Sequence, residues 1–234
     1  MVLLSVPCIG GPDRTAGTPA LNVTVQGSIC NGNLGSTFSM NKKQTLREEL
    51  VSRRKKLSSQ ELEDSAESIK SIWNKTKNNF VQKNVGFYWP VSGEISPVPI
   101  IKELLIGGSK CYLPMISDDK KNRNLTFRQF TSTEDTRKNI FNILEPIKGT
   151  EIDIKNLDVI FIPCVGLDSE GYRIGMGMGF YDTTLKKIGI DTRLIALAHD
   201  FQKVSSCFPE SHDIPVHNAI TPSGYLDYYS KNSE

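Results

Sequence analysis

One short segment of the chain combines three glycines with an arginine and an aspartate. Every second residue of 175–179 is glycine, Arg173 stands just before these positions, and Asp182 follows them. Residues without side chains let backbone N–H groups approach an anion closely, and an arginine can neutralise phosphate oxygens. Because the segment also connects an apolar run at residues 157–167 to a helical pattern, it predicts a phosphate-binding turn with Arg173 as its cation.

The glycine spacing matches neither of two familiar nucleotide-binding motifs. No G-x-x-x-x-G-K-[ST] sequence occurs, and G-x-G-x-x-G would need glycine at position 180, where the chain has Phe180. Alternating glycines also occur in tight turns and where two backbones pack closely. On spacing alone, both the phosphate-binding turn and a purely structural turn remain open.

Two aspartates could supply oxygen ligands for a metal ion beside this turn. Asp182 falls in the first turn of a helix predicted at residues 180–189, where a carboxylate either caps backbone donors or holds magnesium against phosphates. Asp213, in the sequence SHDIPV, could complete such a site or be a solvated loop residue. The spacing does not show that the two carboxylates meet.

The elements that must position these residues alternate between strand and helix patterns. Strands are predicted at residues 85–89, 110–114, 125–130, 157–167 and 193–199. Helices are predicted around residues 46–51 and at residues 97–105 and 180–189, and a capping box of Ser58 and Glu61 predicts the start of another. This alternation predicts an α/β fold, a three-layer α/β/α sandwich with a mostly parallel sheet.

The composition changes abruptly at Met40. Residues 1–39 are rich in Gly, Ser, Thr and Asn and carry two charges, whereas the segment from Met40 has a charged helical pattern. We therefore predict that residues 1–39 are a disordered leader or reflect a misassigned start, and that residues 40–234 form a single catalytic domain. The alternative is a genuine short functional leader.

The whole-chain composition limits the classes of partner. A net charge of +2, from 28 basic and 26 acidic residues, gives no field that would gather nucleic acid or a membrane surface. No apolar run approaches the roughly 18 to 20 residues that span a bilayer. Five widely spaced cysteines without a C-x-x-C pair fit reduced thiols better than disulfides or a zinc site. The sequence therefore predicts a cytoplasmic protein with no nucleic-acid or membrane partner.

Two further features have structural explanations. The basic run at residues 53–56 has acidic neighbours and no interleaved aromatic residue, which favours a solvated helix face over nucleic-acid binding. Cys164 stands in an apolar run, where a thiol usually acts as a small hydrophobe, so no covalent mechanism is predicted for it.

The run at residues 157–185, LDVIFIPCVGLDSEGYRIGMGMGFYDTTL, resembles the signature segment of the 5-formyltetrahydrofolate cyclo-ligase family. The resemblance extends over residues 41–222, with further motifs in the family's order. These motifs are Lys43-x-x-Leu46-Arg47, Trp89-Pro90-x-x-Gly93-Glu94-Ile95, Leu113-Pro114, FNILEP at residues 141–146, AHDFQKV at residues 198–204 and HDIPV at residues 212–216.

The resemblance implies a reaction as well as a three-layer α/β/α fold. ATP and 5-formyltetrahydrofolate would give 5,10-methenyltetrahydrofolate, ADP and phosphate with Mg²⁺, through a phosphorylated formyl group (an iminium phosphate). No side-chain nucleophile is required, and the implied catalytic residue is Arg173, which would balance charge on the phosphate during transfer. The chain is predicted to be a monomer that takes these two small molecules as ligands.

The resemblance also assigns binding residues, set by set. Those implied for ATP are Lys43, Arg47, Arg173, Ile174, Gly175, Met176, Gly177, Met178, Gly179, Phe180 and Tyr181. Those implied for the folate are Trp89, Glu94, Gly175, Met176, Gly177, Met178 and Gly179. Those implied for the metal are Asp182 and Asp213.

Two positions depart from the family's usual pattern, and two other functions are weighed against the ligase. Met178 replaces a common glycine or lysine, and Thr183 replaces a frequent arginine, so the surroundings of the phosphates are less open and less positive. One alternative is a sugar-phosphate isomerase or acyl-CoA transferase of similar architecture, which would need no ATP. The other is a binding module that keeps the turn without turnover.

Overall fold

An eight-stranded sheet is the centre of the computed structural model, which describes residues 34–76, 83–119 and 121–229. The helices are α1 (Leu34–Arg54), α2 (Ser59–Thr76), α3 (Val98–Ile106) and α4 (Phe180–Thr184). The strands are β1 (Asn84–Gly86), β2 (Lys110–Ile116), β3 (Leu125–Phe130), β4 (Thr136–Lys138), β5 (Leu144–Pro146), β6 (Glu151–Ile152), β7 (Val159–Pro163), β8 (Gly166–Leu167), β9 (Arg173–Ile174), β10 (Arg193–Leu197), β11 (Asn218–Thr221) and β12 (Gly224–Asp227).

The strand order across the sheet is β12-β11-β10-β7-β1-β2-β3-β6. The five strands from β11 to β2 are parallel, whereas β12 at one side and β3 with β6 at the other pair antiparallel. Strand β1 lies between β2 and β7, with Val85 opposite both Cys111 and Val159. The chain thus continues from β1 to β2 on one side of β1 and later forms β7 on the other side. Such a reversal opens a crevice at the carboxyl ends of the two neighbouring strands.

Alternate side chains of the central strands enter two different hydrophobic cores. On one face, Phe161 of β7 meets Trp73 of α2 edge-on at 5.1 Å and stacks on Phe87 at 4.8 Å between ring centroids. On the other face, Ile160 packs in a cluster that includes Leu185, from the turn of 3-10 helix after α4. The nearly continuous apolar composition of β7 follows from burial on both faces.

The predicted α/β class with a mostly parallel sheet is confirmed, and the structure corrects several element bounds. The strand predicted at residues 85–89 ends its ladder at Gly86. The run at 157–167 splits into β7 and β8, and β8 pairs with β9 instead of continuing the sheet. Between them the carbonyl of Cys164 is already bonded by side chains, those of Arg54 and Gln202, so it does not extend a ladder.

The helix predicted at residues 180–189 is shorter than expected. Helix α4 ends at Thr184, and residues Leu185–Lys187 continue as one turn of 3-10 helix. The β-branched Thr183 and Thr184 are weak helix formers, and the hydroxyl of Thr184 accepts the Leu125 N–H at 2.8 Å. A five-residue helix has only a small dipole, so the dipole contributes little to the predicted phosphate binding.

The start of the helical region also differs from the sequence prediction. Helix α1 begins at Leu34, before the predicted boundary at Met40, while residues 1–33 lie outside the described residues. The proposed start at Met40 and the single catalytic domain at residues 40–234 stay predictions. The capping box of α2 is confirmed, because Ser58 N–H donates to Glu61 at 2.8 Å and Glu61 N–H donates to Ser58 Oγ at 3.3 Å. In the described part of the chain, no helix is long and apolar enough to cross a membrane.

Candidate active site

A cavity of about 310 Å³ opens at the carboxyl ends of β1 and β7, where the strand order reverses. This volume is at the lower end of small-molecule sites, which measure roughly 300 to 1,000 Å³. Its lining comes from segments far apart in the chain. The lining residues are Tyr88, Trp89, Val91, Ser92, Glu94, Pro114, Ile116, Leu125, Asn139, Phe141, Ile143, Glu145, Pro163, Cys164, Val165, Arg173 and residues 175–182.

Glu94 brings a buried carboxylate to an otherwise largely apolar part of this cavity. One of its oxygens accepts the backbone N–H of Val91 at 3.1 Å, and the other lies 3.5 Å from a guanidinium nitrogen of Arg54. Burial raises the pKa of Glu94, while the charge of Arg54 and the Val91 hydrogen bond act in the opposite direction. A carboxylate held in this way can accept N–H groups from a ligand.

Aromatic side chains form the apolar walls beside Glu94. Trp89 lies 6.0 Å from Phe130 between ring centroids, and Phe141 meets Phe180 edge-on at 6.2 Å. The hydroxyl of Tyr88 donates to the carbonyl of Ile95 at 2.6 Å, which fixes the start of the loop that carries Glu94. Apolar walls with one converging carboxylate suit a flat heterocycle that has N–H donors.

The glycine turn at residues 175–179 forms another side of the cavity. Gly177 and Gly179 have φ of +85° and +73°, a conformation that residues with a Cβ rarely adopt. A Cβ added at Gly175 or Gly179 would meet no described atom within 4 Å, and one at Gly177 would approach Arg47 Cζ at 3.6 Å. Close backbone packing therefore does not explain these glycines, and the space beside them is open.

Helix α1 carries two cations to the glycine turn and its surroundings. Arg47 Nε donates to the carbonyl of Gly175 at 2.8 Å. One helical turn earlier, Lys43 Nζ donates to Asp213 Oδ2 at 2.9 Å and lies 3.8 Å from Glu210. The backbone N–H of Glu210 also donates to Asp213, and together with Lys43 it lowers the pKa of Asp213. The cations thus approach the turn from α1, while Glu94 approaches the cavity from β1.

Arg173 is buried beside the turn. One of its terminal nitrogens donates to Asp182 Oδ1 at 2.7 Å and the other donates to the carbonyl of Ile214 at 2.8 Å. The side chain of Asp182 is 39% exposed, so solvent or a ligand can reach it, whereas that of Arg173 is 5% exposed. The pair places one fixed positive charge and one accessible carboxylate at the end of the turn.

The family comparison agrees with this geometry. Residues 39–222 match the model of the 5-formyltetrahydrofolate cyclo-ligase family, which is more than half of the chain. The chain belongs to this family. Curated relatives named 5-formyltetrahydrofolate cyclo-ligase include those of Haemophilus influenzae, 32% identical over 59% of this chain and 75% of that protein, and of Escherichia coli strain K12, 33% identical over 59% and 78%.

A solved structure supports the same assignment at the level of the fold and the family. The NMR structure of the Aquifex aeolicus 5,10-methenyltetrahydrofolate synthetase superposes with a TM-score of 0.68 at 28% identity. The match covers 80% of this chain and 92% of that one. The cyclo-ligase family membership and the α/β fold therefore have independent support from sequence and from structure.

The structure places most of the residues that the cyclo-ligase resemblance implies around one cavity. Trp89, Glu94, Arg173 and residues 175–182 all line it. Arg47 contacts the turn but is not among the described residues that line the cavity. Lys43 and Asp213 pair with each other and also lie outside that lining. The roles of these residues stay predictions.

The two predicted metal ligands fit a partial magnesium site. The part of the chain that is described contains no group of three or more His, Cys, Asp or Glu side chains that could hold a metal. Mg²⁺ usually keeps several waters and binds one or two carboxylates together with substrate phosphates. Asp182 lines the cavity, whereas Asp213 lies outside the described lining and pairs with Lys43, so the carboxylates supply the right donor type but an incomplete set of ligands.

Two polar residues at the cyclo-ligase cavity were not singled out from the sequence. The sequence predicts a solvated helix face for Arg54, which is wrong, because its side chain is fully buried and lies 3.5 Å from Glu94. Glu145 is buried in the cavity wall, where one carboxylate oxygen accepts Ile116 N–H at 2.8 Å and the Asn139 amide at 2.7 Å. The available signal was a single charged residue within the otherwise uncharged FNILEP segment.

Proposed function

We propose that this chain is a 5-formyltetrahydrofolate cyclo-ligase, which uses ATP to convert 5-formyltetrahydrofolate to 5,10-methenyltetrahydrofolate with release of ADP and phosphate. The observation that carries the proposal is the shared cavity of Glu94 and the open glycine turn. A carboxylate suited to a heterocycle and a turn suited to phosphate lie on walls of one site. A reaction that joins a folate to a phosphoryl donor needs both.

The ligands would divide the site between them. The folate heterocycle would lie in the apolar cavity against Trp89 and Glu94, with its formyl group toward the turn at residues 175–179. The terminal phosphates of ATP would lie on the other side of this turn, held by Lys43, Arg47 and residues 173–181. The support is that Arg47 of α1 is bonded to the carbonyl of Gly175 without being among the described residues that line the cavity of Trp89 and Glu94.

The chemistry explains why ring closure requires ATP. The oxygen of the formyl group on N5 is a poor leaving group. Transfer of the γ-phosphoryl group of ATP to this oxygen releases ADP and leaves an iminium phosphate, from which the oxygen can depart as phosphate. N10 then attacks the formyl carbon and loses its proton, and the C–O bond breaks with departure of inorganic phosphate. Such a transfer depends on positioning and charge balance. Arg173, fixed by Asp182 and the Ile214 carbonyl, would supply a preorganised positive charge.

Asp182 and Asp213 would hold Mg²⁺ together with the phosphates of ATP. When bound, the ion would neutralise charge on the phosphate oxygens. The support is the accessible carboxylate of Asp182 at the cavity and the lowered pKa of Asp213, which keeps that group ionised at neutral pH. In the absence of ATP these two carboxylates have Arg173 and Lys43 as their charged partners.

The compartment and the partners belong to the same proposal. The described cysteines Cys111, Cys164 and Cys207 are free and buried, which agrees with a reducing cytoplasm. The nearly balanced charge agrees with small-molecule ligands in place of nucleic acid or an anionic membrane surface. We infer a cytoplasmic protein on these grounds, and the monomeric state stays a prediction.

One assay tests the function and both alternatives. The full chain is incubated with 5-formyltetrahydrofolate, ATP and Mg²⁺, and the absorbance of the methenyl product is followed together with ADP. Equal amounts of product and ADP are expected. Product without ATP would indicate an ATP-independent enzyme, and ligand binding without product would indicate a binding module.

A pair of variants controls this assay for contaminating activity. Asp182→Asn should lower kcat by about 100-fold or more, because it removes the negative charge that fixes Arg173 and would hold Mg²⁺ beside the transferred phosphoryl group. Asp135→Asn is the matched control, since Asp135 also pairs with a cation, Lys148 at 2.9 Å, but is not among the described residues that line the cavity. Equal activities in the two variants would contradict the role of Asp182.

A further inference from the structure

Arg54, the last residue of α1, is a fully buried cation behind the cavity. Its neighbours in the basic run, Arg53, Lys55 and Lys56, are exposed. A guanidinium group remains charged in proteins, so burying it is unfavourable unless anions and hydrogen-bond acceptors surround it. The burial of this one member of the run therefore requires an explanation from its contacts.

The contacts of Arg54 join three segments that line the cavity. Its Nε donates to the carbonyl of Ser92 at 2.9 Å, in the loop after β1. Its Nη1 donates to the carbonyl of Cys164 at 3.2 Å, just after β7. Its Nη2 lies 3.6 Å from the sulfur of Met176 in the glycine turn. Arg54 thus supports both the proposed folate side and the proposed nucleotide side of the site.

Glu94 is the acidic partner of Arg54. The same Nη2 lies 3.5 Å from Glu94 Oε1, and both side chains are almost completely buried. The loop approaches α1 so closely that a Cβ at Gly93 would lie 2.5 Å from the Arg54 carbonyl oxygen. Because glycine at this position permits that approach, the chain is built to bring Glu94 onto the end of α1.

The other titratable groups around Glu94 do not replace the charge of Arg54. Tyr88, Tyr181 and Cys164 interact with Glu94, and burial raises the pKa of each, so all three are neutral at pH 7. His199 Nε2 donates to the Gly93 carbonyl at 3.0 Å, and burial lowers the pKa of His199, which favours its neutral form. Among the described residues, Arg54 is therefore the cation that opposes the effect of burial on Glu94.

We propose that Arg54 is a positioning residue for the folate, which holds the Glu94 carboxylate charged and correctly oriented in the cavity. This role rests on the proposed function, because it takes the folate heterocycle as the ligand of Glu94. A charged carboxylate accepts hydrogen bonds from N–H groups more strongly than a neutral acid. Without Arg54, burial favours protonation of Glu94, and the cavity loses its acceptor.

A double-mutant cycle tests the coupling through catalysis. Arg54→Met should raise KM for 5-formyltetrahydrofolate by about tenfold or more at pH 7, the loss expected for a charge-assisted hydrogen bond. The increase should shrink as the pH rises, because Glu94 then ionises without Arg54. In the Glu94→Gln background, the same Arg54→Met change should alter KM by less than about threefold, because the two residues act as one unit.

Two single variants separate charge from packing. Arg54→Lys keeps a positive charge and should restore the wild-type pH profile of KM, although it cannot make all the guanidinium contacts. Arg53→Met is the matched control, because Arg53 is exposed and packs over the Phe201 ring at 4.4 Å. It should leave KM unchanged. A KM increase in Arg54→Met that is independent of pH, or that is fully additive with Glu94→Gln, would overturn the proposal.

A titration that needs no turnover distinguishes this proposal from the proposed function. The Glu94 carboxyl signal is followed by NMR in the full chain, and Arg54→Met should raise its pKa. A carboxyl group whose pKa in the folded state lies above the ordinary 4.5 makes the folded state less stable as the pH rises. The Arg54→Met variant should therefore lose stability to urea between pH 4.5 and neutrality. Adding Glu94→Gln should remove that pH dependence. An unaltered Glu94 pKa refutes the charge coupling, even if the assay shows no turnover and the proposed function fails separately.

Discussion

The glycines of the turn meet two different requirements at the scale of single residues. Gly177 and Gly179 provide positive φ angles, whereas at Gly175 the useful property is the open space beside the backbone. The proposed phosphate site needs both, because the turn must be tight and its N–H groups must remain accessible. Met176 and Met178 stand between these glycines with about half of their surface exposed, at 48% and 42%. They can therefore contact a ligand without a change in packing.

Gly177→Ala should damage nucleotide use more than its effect on stability explains. The left-handed backbone costs a residue with a Cβ about 1 to 2 kcal/mol. The added methyl group would also contact Arg47, and a displaced turn could raise KM for ATP by about 10- to 100-fold. Gly108→Ala is the matched control, because Gly108 has a similar φ of +82° and open space beside it after α3.

Steady-state kinetics and urea unfolding on both variants provide the measurement. Both should lose a similar amount of stability, and only Gly177→Ala should alter KM for ATP. An equal KM in the two variants would show that the turn does not contact the nucleotide.

The sequence predicted the residues of the turn better than the residues that support it. Arg173 and the glycines are close together in the chain, so local spacing was enough to single them out, although it left a purely structural turn open and their phosphate role stays a prediction. Arg54 was not separated from Arg53 by the sequence prediction, because the basic run at residues 53–56 was assigned as a whole to a solvated helix face. What distinguishes them is contact with Ser92 and Cys164, which are distant in the sequence.

At the scale of elements, α1 is the part of the fold that connects the two sides of the site. Lys43, Arg47, Leu50 and Arg54 recur at intervals of four, three and four residues, which places them on one face of the helix. Along this face they contact Asp213, the glycine turn, a small core cluster and Glu94, respectively. The orientation of one helix therefore fixes the position of every cation on that face.

Leu50→Ala should reveal this role of α1. Leu50 is 5% exposed and packs with Val165, Ile174 and Cys207, so its truncation should cost about 2 to 5 kcal/mol. Because Leu50 lies between Arg47 and Arg54, a loosened helix should also raise KM for both substrates. Leu104→Ala is the matched control, since Leu104 is also 5% exposed but lies in α3, within the core on one face of the sheet.

Unfolding in urea and steady-state kinetics decide between the two outcomes. Similar losses of stability are expected, with a clear KM increase for Leu50→Ala alone. If the Leu104 variant shows the same KM increase, general loosening of the protein explains the result, and α1 has no special part.

Element predictions succeeded where the local pattern was sufficient. Strand β3 has the bounds predicted from its sequence, and the capping box of α2 was visible in Ser58 and Glu61. The predictions failed where tertiary contacts end an element, as at Thr184, whose hydroxyl bonds to β3, and after Pro163, where side chains bond the next carbonyl.

At the scale of the whole molecule, the reversal of strand order between β1 and β7 creates the site. The loop after β1 carries Glu94, and the chain after β7 leads to the glycine turn, so the two walls arise from neighbouring strands that are distant in sequence. Alternating helices and strands predicted the parallel sheet. They could not predict the strand order or the antiparallel strands at both sides of the sheet, because these depend on pairings between distant segments.

The same whole-molecule view predicts the effect of shortening the chain. The family match covers residues 39–222, and the residues assigned to the site lie between Lys43 and Asp213. A variant that starts at Leu34, with an added Met, should keep kcat/KM within about twofold, because it retains the whole family match and every residue assigned to the site. A variant that starts at Gln44 lacks Lys43 and should show a raised KM for ATP. A large loss of kcat/KM in the Leu34 variant, with an unchanged melting temperature, would show that residues 1–33 contribute to catalysis.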